Sequence, residues 1–320
     1  MLLTTLTLII SLFFLLWSAH HLVIGSSGIA QYYRIPPLFI GLTIVAIGTT
    51  APEIMVSITA AIHGKSDIAL GNAIGSNIAN IGLIIGIITL IRPLKTQSRL
   101  LQREYPILFI IMLFAYILFI DNYLSRIDGL LLLLGSVILM IYFAYASQKI
   151  KKEDPLIAEF KEILSSSRSL KTNIFSIILG IIILPVSARF LVNSASEIAA
   201  WMGISELIIG LTILAIGTSL PELATSAVAA IKHEDDISIG NILGSNMFNI
   251  LLVIAFPGII NPNTIPYSVI WRDIPVMFVL TAALLIFNIF GKKQLRYWHG
   301  GLLLLIYLFY FITIVLNATL

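Results

Sequence analysis

Residues Gly41–Glu53 read GLTIVAIGTTAPE, and residues Gly210–Glu222 read GLTILAIGTSLPE. Ten of the thirteen positions are identical. A second pair follows in each half: Gly71–Ile81 reads GNAIGSNIANI and Gly240–Ile250 reads GNILGSNMFNI, with seven of eleven positions identical. The offset is constant, since 210 − 41, 222 − 53, 240 − 71 and 249 − 80 all equal 169. Ser18-Ala19 and Leu22-Val23 fall over Ser187-Ala188 and Leu191-Val192 at the same offset. Apolar helices share a small alphabet and resemble one another by chance. Chance does not set Gly, Thr, Pro, Glu and Asn at one offset in two separate segments, so the chain is an internal duplication.

Composition says where such a chain sits. Of its 320 residues, 58% are hydrophobic and 11% charged, with a mean hydropathy of +1.02. Soluble domains carry about 25% charged residues, so this chain cannot cover a globule with polar surface and a bilayer is its natural solvent. Apolar stretches of about 20 residues recur along its length, as membrane-spanning helices require. The net charge of +3 is small, and the Lys and Arg sit in connecting loops. That argues against nucleic acid as a partner, because loop charge in a membrane protein sets orientation. There are no cysteines, which excludes disulfides and thiol chemistry. Met1–Ile24 is apolar without a basic leader or a small-residue cleavage site, and reads as a retained first span.

The fold class expected is all-α, a polytopic membrane protein of ten transmembrane helices in two inverted-topology five-helix repeats. The spans fall roughly at 1–24, 37–62, 67–91, 105–120, 127–147, 173–199, 206–231, 237–260, 271–290 and 297–317. The first repeat occupies 1–147 with its motif at 41–81, and the second 173–320 with its motif at 210–250. The polar segment 148–172 between them is the one long linker. Five spans per half is odd, so the second half enters the membrane upside down relative to the first, as in many secondary transporters. Loops after the odd-numbered spans hold 15 of the 19 Lys and Arg. By the positive-inside tendency those loops and the linker are cytoplasmic and both termini lie outside, in a plasma or bacterial inner membrane.

Ala46, Thr49, Thr50 and Glu53 are spaced i, i+3, i+4 and i+7 and share a helix face. Ala215, Thr218, Ser219 and Glu222 repeat that face. A carboxylate in an apolar span faces protein, a water-filled cavity or a bound ion. Pro52 and Pro221 each remove an N–H and clash with the carbonyl four residues back, at Gly48 and Gly217. The expected kink leaves main-chain oxygens near Ala46–Gly48 and Ala215–Gly217 as candidate ligands, tolerated at membrane depth where backbone lines a cavity. The second motif supplies Ser76 and Asn80, spaced i, i+4, with Ser245 and Asn249 as counterparts; Asn77 and Asn246 fall on a different face. Gly71, Gly75, Gly240 and Gly244 form small-xxx-small patterns that suit close helix packing. The ligand set is all oxygen, with no Cys and no His in either motif, which argues against zinc, copper or nickel. Hard oxygen donors suit Ca²⁺, and a similar radius admits Na⁺. Two Glu carry about −2, which neutralises one Ca²⁺ or two Na⁺, and H⁺ is expected to compete for the same carboxylates.

The paired motifs resemble the two α-repeats of the sodium/calcium exchanger family in the Ca²⁺:cation antiporter superfamily. The resemblance covers essentially the whole chain. It is to the compact prokaryotic members, since the 148–172 linker is too short for a Ca²⁺-sensing domain. The resemblance implies Ca²⁺ and Na⁺ as transported ions, no cofactor, and a central cluster of one Ca²⁺ and three Na⁺ sites. It implies Glu53 and Glu222 as main Ca²⁺ ligands. Thr49, Thr50, Thr218 and Ser219, with the carbonyls of Ala46 and Ala215, would complete the Ca²⁺ and Na⁺ sites. Ser76 and Ser245 would serve flanking Na⁺ sites, with Asn80 and Asn249 beside the centre. Some relatives have Asp where this chain has Asn80 or Asn249, so its site carries two acids, as in K⁺-independent exchangers.

The expected mechanism is alternating access, with spans 1 and 6 moving against the core of spans 2–5 and 7–10. Three Na⁺ for one Ca²⁺ would move net charge, and two would not. The ligands themselves do not specify Na⁺, so a Ca²⁺/H⁺ antiporter on the same Glu pair is the alternative. A cation channel is a rival from another class, though channels are more often assembled around a symmetry axis. An enzyme is not expected, because the motifs hold no nucleophile–base pair and no metal-binding His cluster. No obligate protein partner is implied beside the ions and the lipid bilayer.

Overall fold

The computed structural model describes residues 2–33, 45–96, 99–149, 169–291 and 293–319. The linker 148–172 lies outside the described residues except at its ends, as do positions 37–44 of the expected second span. Among the described residues the chain is almost entirely helical. Helix α1 is Leu2–Tyr32, running eight residues past the expected end of the first span. The first motif forms α2 (Ala46–Thr49) and α3 (Ala51–Ile62). The second forms α4 (Ser66–Ala79), continued through a π segment at Asn80–Ile85 into α5 (Gly86–Ile91). Helices α6 (Arg99–Leu118) and α7 (Arg126–Lys149) complete the half.

The second half repeats this order. Helix α8 is Leu170–Met202 and α9 is Glu206–Ile209, followed by a π segment at Gly210–Leu214. Then come α10 (Ala215–Thr218), α11 (Leu220–Ile231) and α12 (Asp235–Phe248). A π segment at Asn249–Val253 leads to α13 (Ala255–Ile260). Another at Val269–Asp273 opens α14 (Ile274–Phe290), and α15 is Tyr297–Thr319. The bounds of α2, α3, α4 and α5 recur at α10, α11, α12 and α13 with the offset of 169 read from the motifs. Among the described residues, seven helices are long and apolar enough to cross a membrane, and the bent pair 206–218 and 220–231, taken as one span, makes an eighth. The expected span 105–120 starts six residues into α6 and runs two residues past its end at Leu118, and the N-terminal turns of α6 carry Arg103 and Glu104.

Burial ranks the spans. Ser66–Ile91 and Asp235–Ile260 have 78% and 83% of their apolar window buried, against 28–39% for the other continuous spans. The two stretches with the second motif are therefore the centre of the bundle. Their small residues allow this: a Cβ on Gly71 would lie 2.5 Å from the Leu207 carbonyl, and one on Gly75 would lie 2.7 Å from the Ala215 Cβ. Helices α1 and α8 pack along each other and share an apolar cluster with α3 and the start of α4, through Leu15, Ala19, Val56, Ile68, Leu191 and Val192. A larger cluster joins the remaining spans. The outer faces of α1 and α8 leave Ile9, Phe13, Phe175 and Phe190 exposed, as a lipid-facing surface requires.

Two short ribbons tie the halves together. Strand β1 (Leu94–Lys95) pairs antiparallel with β4 (Gln294–Leu295), and β2 (Tyr123–Leu124) pairs with β3 (Asn263–Thr264). Strand β3 is the repeat of β1, so each half lends its first strand to the other half's second. The flanking bonds exchange in the same way, with Thr96 N donating to Lys293 O at 2.8 Å and Ile265 N to Asn122 O at 2.7 Å.

Candidate functional site

Each broken helix sets a carboxylate just past its break. Helix α2 stops at Thr49 and α3 starts at Ala51, with Thr50 between them at φ −79°, ψ −2°. The second half breaks at Ser219, φ −81°, ψ 6°, and there the axis bends by 40°. Both breaks come two residues before the proline. Pro52 and Pro221 therefore occupy the first turn of the following helix, where a missing N–H costs nothing. Glu53 and Glu222 sit in that same turn.

Both carboxylates are fully buried, and they face one another across the centre of the bundle. Each is met by hydroxyls of the opposite half as well as its own. Ser219 Oγ donates to Glu53 Oε1 at 3.3 Å, with Thr218 and Ser76 beside the same carboxylate. Ser245 Oγ donates to Glu222 Oε1 at 3.2 Å, with Thr49 beside it. Thr49 and Ser245 hydroxyls lie 3.4 Å apart. Ser76 donates to the Ala215 carbonyl at 3.4 Å. Among the described residues, the remaining oxygens, Glu53 Oε2 and Glu222 Oε2, have no hydrogen-bond partner, nor have Asn80 Oδ1 and both amide atoms of Asn249. Among the described residues the two ion pairs are Arg92–Asp235 and Arg272–Asp273, so no basic side chain answers Glu53 or Glu222. A buried carboxylate pair with unpartnered oxygens is costly unless a cation or proton joins it. The donors are oxygen throughout, which fits a hard cation.

All twelve residues singled out from the sequence are buried, but they do not play equal parts. Thr50 and Ser219 are equivalent in sequence and differ in geometry. Thr50 Oγ1 bonds back to the Ala46 carbonyl at 2.9 Å, whereas Ser219 reaches Glu53. The Ala46 carbonyl also accepts from Thr49 Oγ1 at 3.1 Å and from Thr50 N at 3.2 Å. It is therefore saturated within its own helix here and not turned loose by the break. Asn246, placed by spacing on another face, accepts at Oδ1 from Asn80 Nδ2 at 2.9 Å and donates to the Asn77 carbonyl at 3.2 Å. Two further residues escaped the reading. Asn72 Oδ1 accepts from Thr218 Oγ1 at 3.0 Å, and Asn241 Oδ1 from Thr49 Oγ1 at 3.5 Å. The signal was present, since both follow the repeated Gly and lie one turn before Ser76 and Ser245.

A cavity of about 340 Å³ opens beside this centre, between α1 and the two breaks. Leu16, His20 and Val23 line it from α1, Gly48 and Thr49 from the first half, and Pro221 and Thr225 from the second.

Helical spans around a buried acidic oxygen cage define a membrane ion-transport protein. The family profile for sodium/calcium exchanger protein matches residues 3–149 and 172–316. CaxA of Alkalimonas amylolytica, named as a candidate antiporter, is 42% identical over 312 residues, covering 97% of this chain and 98% of that one. Inner membrane protein YrbG of Escherichia coli is 40% identical over 283 residues, 88% and 87% of the two chains. The solved structure of the sodium-calcium exchanger NCX_Mj, soaked with 2.5 mM Na⁺ and 0.1 mM Ca²⁺, superposes with a TM-score of 0.67 at 29% identity. It covers 96% of this chain and 97% of that one. The chain belongs to the sodium/calcium exchanger family, as a compact membrane antiporter.

Proposed function

We propose that the chain exchanges Ca²⁺ for Na⁺ by alternating access, with both ions competing for the Glu53–Glu222 centre. The observation that carries this reading is the pair of fully buried carboxylates, each with one unpartnered oxygen and no basic side chain in reach. Ca²⁺ takes Glu53 and Glu222 as its charged ligands, with Thr49 and Thr218 beside them. Ser76 and Ser245 bridge toward Na⁺ positions, Ser219 supports Glu53, and Asn80 and Asn249 add amide oxygens. Thr50 and the Ala46 and Ala215 carbonyls complete the set once helix movement frees them from their internal bonds.

The architecture in this reading is ten spans in two inverted repeats, 1–147 and 173–320, joined by a cytoplasmic linker in a bacterial inner membrane, with both termini outside. The exchanged strand pairs and the matching element bounds support it. Helices α1 and α8, which pack on each other, are the moving pair, with α1 lining the cavity, and the central α4 and α12 stay with the core. H⁺ competes for the carboxylates, and no cofactor takes part. Na⁺-gradient-driven ⁴⁵Ca²⁺ uptake into proteoliposomes tests the reading. Uptake that follows a pH gradient and ignores Na⁺ assigns the centre to Ca²⁺/H⁺ antiport instead.

A further inference from the structure

Arg189 sits deep inside α8, nineteen residues after the helix begins and thirteen before it ends. It is three residues from the middle of a helix about 50 Å long, so its Cα lies well within a hydrocarbon core of about 30 Å. The side chain is exposed and forms no ion pair among the described residues. A charge at this depth is expensive unless it meets water, a partner or an ion pathway.

The repeat gives Arg189 a counterpart. At the offset of 169 it corresponds to His20 of α1, with Ala188 over Ala19 and Val192 over Val23. Ala19, His20 and Val23 line the cavity beside the centre, together with Leu220, Pro221 and Thr225 of α11. There Leu220 is exposed, and Pro221 and Thr225 are half-buried. The equivalent contact in the other half is closed. Ala51, Pro52 and Val56 of α3 correspond to Leu220, Pro221 and Thr225, and all three are buried. Ala51 and Val56 share one apolar cluster with Ala188 and Val192. The centre is thus open on the α1 side and packed shut on the α8 side, with Arg189 next in the chain to that packed contact.

We infer that Arg189 is a fixed positive charge in the second route to the Glu53–Glu222 centre, the one that opens when α8 leaves α3. The inference rests on the alternating access proposed above. In an inverted repeat the second state gives each half the arrangement its counterpart has in the first, which sets Arg189 where His20 stands in this structure. On that topology α8 and α3 both run outward, so this route faces the exterior and the α1 cavity faces the cytoplasm. A positive charge raises the energy of Ca²⁺ twice as much as that of Na⁺. Arg189 biases the external face toward Na⁺ and against the return of Ca²⁺. The oxygen cage is shared by both faces and cannot supply a bias at one of them alone.

Half-saturation measured at each face tests this. Right-side-out and inside-out vesicles from cells producing the full-length chain are compared for ⁴⁵Ca²⁺ uptake and for Na⁺-driven ⁴⁵Ca²⁺ release. Arg189→Gln is expected to lower the external Ca²⁺ concentration for half-maximal uptake by about fourfold and the external Na⁺ concentration for release by about twofold, the square relation that one shared potential imposes. Values at the cytoplasmic face should match wild type, which also shows that the variant folds. Arg189→Lys should match wild type at both faces, and added choline chloride should shrink the Arg189→Gln difference by screening. Unchanged external values, equal shifts at both faces, or an Arg189→Lys shift as large as that of Arg189→Gln overturns the inference. If Na⁺ drives no exchange by the wild type, Na⁺ exchange itself is refuted, and Ca²⁺ half-saturation under a pH gradient still decides the role of Arg189.

Discussion

Replacing Glu53 by Gln is the sharpest test of the central cage. The substitution keeps shape and volume and removes one of two negative charges from a fully buried centre with no basic side chain. Two unit charges about 4 Å apart interact by about 4 kcal/mol at an effective dielectric near 20, and a divalent ion roughly doubles that. Part is offset, because Glu222 loses a like-charged neighbour. Removing one partner of a buried ion pair typically costs about 3–5 kcal/mol, so Ca²⁺ affinity should fall by about a hundred- to several-thousand-fold. Calorimetric Ca²⁺ titration of the purified protein reads the affinity, and ⁴⁵Ca²⁺ flux in proteoliposomes reads transport. Glu222→Gln should lose a similar amount, since each carboxylate has one bonded and one unpartnered oxygen. A Kd within about threefold of wild type for either variant, under about 1 kcal/mol, would refute the paired site.

Ser219→Ala removes a hydroxyl bonded to Glu53 and should weaken Ca²⁺ binding by about 1.5–3 kcal/mol, the range for hydrogen bonds to charged groups. Thr50→Ala, whose hydroxyl is spent on its own helix, should change binding far less in the same titration; equal losses would overturn the asymmetry. Gly71→Ala would press a Cβ to 2.5 Å from the Leu207 carbonyl, and overpacking of about 1–3 kcal/mol should lower the Tm in a thermal scan. Arg92→Ala strands the mostly buried Asp235; with Arg92 partly exposed, a loss of about 1–3 kcal/mol is expected in thermal or denaturant unfolding. Acidifying the medium should raise the Ca²⁺ concentration needed for half-maximal uptake, because a protonated Glu53 or Glu222 offers no charge; a midpoint independent of pH would exclude H⁺ competition.

The membrane setting, the duplication and the identity of the acidic pair were legible in the chain itself. Low charge, apolar runs and one repeated offset are statements about composition and spacing, and they need no knowledge of which helix neighbours which. Pro52 and Pro221 likewise announced a break, since the loss of an N–H is a local event. The break's place at Thr50 and Ser219, two residues earlier, followed from proline's fit in the first turn of the next helix. Helical spacing assigned Thr49, Glu53, Ser76 and Asn80 to faces, but a face is not a partner. Only the tertiary structure brought Ser219 of one half to Glu53 of the other, Asn241 to Thr49, and Asn246 to Asn80. It also separated Thr50 from Ser219, a pair that the repeat treats as equivalent. Periodicity fixes direction around one helix axis, whereas hydrogen bonding between halves depends on how two axes approach, and near-identical motifs in different packing settle into different bonds.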